Sequence, residues 1–281
     1  MQEDLVDQDV HFYIDNAPPE EVMYVLRCLT NAGYLSSREI GTKLHAHYGF
    51  EMQSDRNYSP RRLFDLGLAD RTRSGSSILY RLSARGGRVQ EVASTDRSLG
   101  YELLHILHYY GYQGRGEDRK LFWSYRKLCE LVWSEQRLRS SGELAASIQS
   151  LIETEFSPPS QVSKTGFNFS KAGANQGLAW LRALEPSPIS EDTLVARGAL
   201  NPVLALLVLD HYYRENSIEI GSPVLLSDEA LAALSGALFV TPQAFRDMLV
   251  AASRLSERVR LTDTLGGTSI RLNAPFLLTD L

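Results

Sequence analysis

Ser59-Pro60-Arg61-Arg62-Leu63-Phe64-Asp65-Leu66-Gly67-Leu68, followed after two residues by Arg71-Thr72-Arg73-Ser74-Gly75-Ser76-Ser77-Ile78-Leu79-Tyr80-Arg81-Leu82-Ser83, decides how the N-terminal part of the chain folds. Ser59 before Pro60 has the form of a helix start, a capping hydroxyl followed by proline at the first helical position. Leu63, Phe64 and Leu66 supply an apolar face, which leaves Arg61 and Arg62 to point outward near the N-terminal end. The helix closes in Leu66-Gly67-Leu68. Two strands, 68–73 and 78–82, are predicted around the turn residues Ser74-Gly75-Ser76-Ser77.

Upstream, Pro18-Pro19-Glu20-Glu21 opens a helix with Val22, Val25, Leu26 and Leu29 at helical spacing, and Asn31-Ala32-Gly33 closes it. Ser36-Ser37-Arg38-Glu39 has the spacing of a capping box ahead of Ile40 and Leu44, so a second helix follows and ends near Gly49. The predicted order is helix, helix, helix, hairpin. With the residues 59–83 quoted above, this resembles the winged-helix-turn-helix superfamily. In that family the third helix usually enters the major groove and the wing touches backbone or minor groove. The resemblance implies Tyr58, Ser59, Arg61 and Arg62 as groove-facing residues and Arg71, Arg73, Ser76 and Arg81 as wing contacts. Arg85 and Arg88 complete the expected nucleic-acid-binding set.

Charge favours the same stretch. The 281-residue chain has a net charge of -5, which is unpromising for phosphate binding taken as a whole. Residues 1–55 carry 3 basic and 10 acidic side chains, 56–140 carry 16 and 9, and 141–281 carry 10 and 15. The middle block is therefore basic between two acidic ones. Arg56 to Arg88 holds eight arginines against Asp65 and Asp70. Arginine's planar fork suits phosphate and base-edge contacts better than lysine does.

Beyond the hairpin, residues 94–155 read as helices, with Leu99, Leu103, Leu104, Ile106 and Leu107 in one and Phe122, Trp123, Leu128 and Trp133 in another. Tyr109-Tyr110-Gly111-Tyr112 reads as aromatic core at a helix end in preference to a base-stacking platform. Pro158-Pro159-Ser160 marks a break. A helix from Ser170 to Leu184 carries Gly173 and Gly177 four apart, which permits close helix approach at a cost in helix propensity. Asn201 to Asn216 is a strongly apolar helix. Residues 221–281 repeat the opening order: a strand at 224–226, helices capped by Ser227 and Thr241, and a hairpin of 258–262 and 268–272 around Leu265-Gly266-Gly267. Here Arg246, Arg254, Arg258, Arg260 and Arg271 are offset by Asp228, Glu229, Asp247, Glu257 and Asp263. A near-neutral wing suits protein contact or dimerisation.

Candidates for chemistry are few. Glu102, His105 and His108 share a helix face at a spacing that metal ligands use, but no third ligand cluster accompanies them. His45 and His47 face different ways. Asp118-Arg119-Lys120 matches half of a metal-dependent nuclease motif without the strands that such a core needs. The 111–116 stretch has no lysine and Ser/Thr at phosphate-loop spacing. Cys28 and Cys129 sit in apolar helical patterns, as buried thiols do. We expect no catalytic residue, no cofactor and no metal. No run of about 18 uncharged apolar residues occurs, and the acidic start lacks the form of a secretory signal, so the expectation is a cytoplasmic protein without a membrane span.

The sequence thus predicts a mainly α protein with small β-hairpin wings. It divides into an acidic segment (1–17), a winged-helix domain (18–93), a helical middle domain (94–218) and a second winged-helix-like domain (219–281). Tandem winged helices joined by helices also resemble accessory subunits of bacterial DNA-handling assemblies, including anti-phage and DNA-modification operons and the winged-helix partners of SMC complexes. The implied function is a non-catalytic subunit that binds duplex DNA through its N-terminal unit and docks partner subunits through its acidic middle and C-terminal regions. A dimeric transcriptional regulator, as a homodimer on a palindrome, and a protein-interaction scaffold of an SMC-like or ATPase/nuclease complex are the alternatives.

Overall fold

The computed structural model describes residues 12, 14, 16–52, 58–111, 120–135, 138–156, 168–265 and 267–281. These form a mainly helical protein with small antiparallel sheets of two or three strands. The expected Pro158-Pro159-Ser160 break, Tyr112, most of the 111–116 turn, Asp118 and Arg119 lie outside the described residues, as does nearly all of the acidic segment.

Helix α1 (Pro19–Cys28) starts behind Pro18 and buries Val22, Met23, Val25 and Leu26. A two-residue strand, β1 (Leu35–Ser36), leads into α2 (Ser37–Tyr48). The capping box forms there: Ser36 Oγ accepts from the Glu39 amide at 3.3 Å, and the Glu39 carboxylate accepts from the Ser36 amide at 2.7 Å. Gly49 closes the helix at φ 63°, a left-handed conformation that glycine adopts without a Cβ clash. Helix α3 (Tyr58–Asp65) follows, then strands β2 (Ala69–Ser74) and β3 (Ser77–Leu82). Strand β1 pairs on the far side of β3, giving the order β1-β3-β2.

Helix α4 (Ala84–Thr95) is not anticipated by the sequence pattern, because Gly86-Gly87 in its first turn lowers helix propensity. Packing requires one of those glycines. A Cβ on Gly86 would sit 1.9 Å from the Leu68 carbonyl oxygen, so only a bare Cα lets the helix start against the chain leaving α3. Helices α1 and α4 then finish each other's C-terminal ends: Gln90 Nε2 donates to the carbonyls of Leu26 and Leu29, and Arg27 Nη2 donates to that of Ala93.

The middle of the chain is α5 (Arg97–Tyr110), α6 (Lys120–Glu135), α7 (Ser141–Glu155) and α8 (Lys171–Arg182), followed by a small hairpin of β4 (Ile189–Ser190) and β5 (Thr193–Leu194). The close approach expected at Gly177 is present, since a Cβ there would meet Leu128 Cδ1 of α6 at 2.7 Å. Then come α9 (Pro202–Glu215), β6 (Pro223–Leu225), α10 (Asp228–Gly236), α11 (Pro242–Leu255), β7 (Val259–Thr264) and β8 (Gly267–Leu272), with a last 3-10 turn at Leu278–Asp280. This half repeats the first: a helix, a short strand, two helices and a hairpin, in a sheet of order β6-β8-β7. One continuous cluster of buried apolar side chains runs from Phe12 to Leu278 through both halves.

A buried polar network ties the halves together. Arg197, on the chain between β5 and α9, forms a bidentate ion pair with Glu102 of α5, both side chains being almost wholly enclosed. The same guanidinium donates through Nε to the Leu238 carbonyl at 3.0 Å, and the Arg197 amide donates to the Phe239 carbonyl at 2.7 Å. One turn along α5, His105 Nε2 lies 2.8 Å from the Ala237 carbonyl and Nδ1 lies 2.9 Å from the Tyr125 hydroxyl. A carbonyl can only accept, so Nε2 carries the proton and Nδ1 accepts from tyrosine. Glu102 is therefore committed to Arg197 and His105 to Ala237 and Tyr125. Among the described residues no group of three or more His, Cys, Asp or Glu side chains could hold a metal ion. His108 stacks on Tyr125 with ring centroids 3.8 Å apart and meets Phe122 and Trp180 edge-on. Cys28 and Cys129 are buried free thiols.

Burial drives three imidazoles toward the neutral form. Desolvation lowers the pKa of His105 to about 3, with Arg197 adding to the effect against the Ala237 hydrogen bond. Desolvation likewise lowers His211 to about 3 and His108 far below its ordinary value. In the unfolded chain each would titrate at about 6.5. As pH falls below that value the unfolded state binds protons that the folded state refuses, so stability present above about pH 6.5 is lost on acidification. Each imidazole contributes about 1.4 kcal/mol per pH unit, and the three together about 4 kcal/mol, once the unfolded forms are charged. The Glu102 carboxyl, raised by burial, acts in the opposite sense at lower pH, in the carboxylate range. Urea denaturation at pH 6 and pH 5 should show a loss of this order. Equal stability at the two values would contradict neutral burial of these histidines.

Candidate nucleic-acid interface

The ten residues expected to touch nucleic acid fall into three groups once the chain is folded. The first is internal. Ser59 and Arg62 have no exposed surface, and α3 is enclosed along most of its length, with Pro60, Leu63, Phe64 and Asp65 also buried. The expected outward aim of Arg62 and Ser59 is therefore corrected. The helix begins two residues earlier than Ser59-Pro60 suggests, at Tyr58, so Ser59 lies in its first turn instead of capping it. Its hydroxyl donates to the Glu21 carboxylate on α1 at 2.5 Å, a buried bond that pins α3 to α1. An eight-residue helix packed against both α1 and β2 has little surface left to present. Tyr58 is half-buried.

The second group sits on the hairpin. The register pairs Ala69 with Leu82, Asp70 with Arg81, Arg71 with Tyr80, Thr72 with Leu79, Arg73 with Ile78 and Ser74 with Ser77. Alternation puts Arg71 and Arg73 on the face shared with Tyr80. Both are exposed, as is Ser76 in the turn. Arg71 lies over the Phe64 ring with its guanidinium carbon 4.2 Å from the centroid, a cation–π contact that orients it. Arg73 Nε donates to the Gly75 carbonyl of its own turn at 3.2 Å. Arg61, partly exposed on α3, has its Nε 4.0 Å from Asp65. The Tyr80 hydroxyl senses this group: burial raises its pKa, Arg71 and Arg61 pull it back, and Asp65 pushes it up. Arg61 and Arg71 thus approach one tyrosine from different elements.

The third group faces elsewhere. Arg81 is on the opposite face of the hairpin, bonded to Asp70 at 3.3 Å and lying over the Tyr34 ring at 4.8 Å. Arg88 pairs with Glu91 at 2.5 Å along α4, and Arg85 is half-buried in its first turn. Counting arginines along the sequence therefore overstates the basic surface. Arg61, Arg71, Arg73 and Ser76 are what remains of it. Sequence reasoning missed β1 and Tyr34, since a two-residue strand leaves no periodicity to detect.

The assembled geometry defines a mainly helical protein with two hairpin-bearing units, one of which presents arginines at the distal end of its hairpin. No family model matches the chain, and no curated protein sequence does. Two solved structures have a similar fold. A crystal structure of SspB superposes with a TM-score of 0.59 at 10% identity over 92% of this chain and 84% of that one. A magnesium-ion-bound SspB gives 0.57 at 9% identity over the same shares. At that identity the likeness concerns the fold. No helix among the described residues is long and apolar enough to cross a membrane.

Burial separates the two kinds of arginine experimentally. Arg62→Ala should lower the unfolding free energy by about 2 kcal/mol or more, the range for removing a fully buried, engaged side chain. Arg73→Ala should leave the thermal midpoint within error. A neutral Arg62 variant beside a destabilised Arg73 variant would mean that α3 faces solvent after all.

Proposed function

We propose that the protein is a DNA-binding accessory subunit whose N-terminal unit is a winged helix that grips the duplex backbone through its hairpin. The observation that carries this reading is the exposed distal hairpin, where Arg71 and Arg73 share one face, Ser76 occupies the turn and Arg61 stands beside them on α3. Backbone contact is favoured over base reading because α3 is enclosed, and an enclosed helix cannot lie in a major groove. Contacts of this kind fix position and supply affinity with little sequence preference. In this reading the acidic remainder of the chain serves partner subunits, as in the DNA-modification and anti-phage assemblies whose tandem architecture the sequence resembles. The dimeric regulator draws less support, since it relies on a third helix that reads bases.

The test is binding of a duplex as a function of salt concentration for the wild type and for Arg61→Ala, Arg71→Ala and Arg73→Ala. Each lost phosphate contact should flatten the log–log salt slope by about 0.9. Absence of binding at low salt, or variants that bind as the wild type does, would remove the basis of the proposal.

A further inference from the structure

The two hairpins match rung for rung. Val259 pairs with Leu272, Arg260 with Arg271, Leu261 with Ile270, Thr262 with Ser269, Asp263 with Thr268 and Thr264 with Gly267. Each hairpin has six rungs, and in each the flanking short strand pairs with the second hairpin strand at the third and fourth rungs, Leu35 with Tyr80 and Val224 with Ile270 at the third. The second rung can therefore be compared directly. In the N-terminal hairpin it is Asp70 opposite Arg81, an ion pair at 3.3 Å. In the C-terminal hairpin it is Arg260 opposite Arg271, both exposed.

Directly opposed residues bring their Cβ atoms to about 5 Å, and like charges in that position destabilise a sheet. No ion pair or hydrogen bond engages either side chain among the described residues. Edge protection, for which strands often carry cations, accounts for Arg260 on the outer strand β7. It does not account for Arg271, since β8 is the central strand and the edge beside it, β6, begins with Pro223 opposite Arg271.

The balanced charge count of this unit conceals the arrangement. Of its arginines, Arg258 is paired with Asp280. Four of its acids are placed elsewhere: Asp228 and Glu229 occupy the first turn of α10, Asp247 accepts from Gln243 at 2.8 Å, and Asp263 accepts from the Thr268 hydroxyl at 2.7 Å, while Glu257 is exposed ahead of β7. By alternation Asp263 projects from the face opposite Arg260 and Arg271. The face that carries the arginines has Thr262 and Ser269 at its fourth rung. Two opposed guanidinium groups beside hydroxyls suit a polyanion with repeating phosphates, which relieves the repulsion that the free protein tolerates.

We infer that the outer face of the C-terminal hairpin is a second contact for the phosphate backbone of DNA, made by Arg260 and Arg271. This rests on the DNA-binding reading of the chain and reverses the expectation that the C-terminal hairpin serves protein contact alone. The probe is a 30-base-pair duplex, titrated at several salt concentrations with the wild type, Arg260→Gln/Arg271→Gln, Arg260→Lys/Arg271→Lys and Arg71→Ala/Arg73→Ala. The glutamine pair should flatten the salt slope by about 2, and the lysine pair should retain it, because counterion release depends on charge. A glutamine pair that binds as the wild type does overturns the inference while leaving the N-terminal contact standing. Loss in the glutamine pair with no effect of the Arg71 and Arg73 changes supports the inference and removes the N-terminal contact. A wild type that fails to bind overturns both.

Discussion

The ion pair of Glu102 with Arg197 is the constraint on which the arrangement of the chain depends. It joins the middle of α5 to a segment about 95 residues later, and the same guanidinium and amide hold the carbonyls of Leu238 and Phe239 at the turn before α11. Both charges are out of water, so neither can be released cheaply. Leaving one of them unpaired would cost about 3–5 kcal/mol. Apolar packing of α5 against α6 and α9 would tolerate small slides, whereas a forked, fully enclosed pair defines one position. His105 adds a second directional bond to Ala237 from the same helix. The position of the C-terminal unit relative to α5 is thereby specified by polar geometry within an otherwise apolar core.

On that frame the two hairpin units use one architecture in different ways. In the first, the third helix is sunk between α1 and the sheet, and its buried Ser59 bond to Glu21 shows that its polar atoms have been recruited for packing. In the second, α11 keeps a solvent-facing side with Gln243, Asp247 and Arg254 exposed. The cations also change faces. Arg71 and Arg73 share the face of Tyr80, whereas Arg260 and Arg271 occupy the opposite one. The same order of elements thus carries its cations on different faces in the two units, since an architecture does not dictate the site placed on it.

Much of this was legible in the residues. The Ser36–Glu39 capping box, the Ser227 and Thr241 caps, the proline starts of α1, α9 and α11 and both hairpin turns announce elements through local chemistry that tertiary packing does not alter. Helix α4 was hidden because Gly86 is a poor helix former whose presence is explained by the Leu68 backbone, a contact visible only in the fold. The basic surface was legible in part. Periodicity assigned Leu63 and Phe64 to the interior, but eight residues give too short a helix for the burial of Arg62 on its remaining side to be read. Ion pairing was the other loss. Asp70 neutralises Arg81 across the first sheet, while Asp263 projects from the face opposite Arg260 and Arg271, and a charge count does not distinguish the two arrangements.

On the proposed reading the two hairpins, with Arg61 beside the first of them, meet the DNA backbone, and α3 stays out of the groove. Hydrogen–deuterium exchange of the full chain with and without a 30-base-pair duplex tests it most directly. Addition of DNA should slow exchange across 69–82 and 259–272, with 58–65 unchanged because α3 is already enclosed. Protection confined to other segments, with both hairpins unaffected, would contradict it.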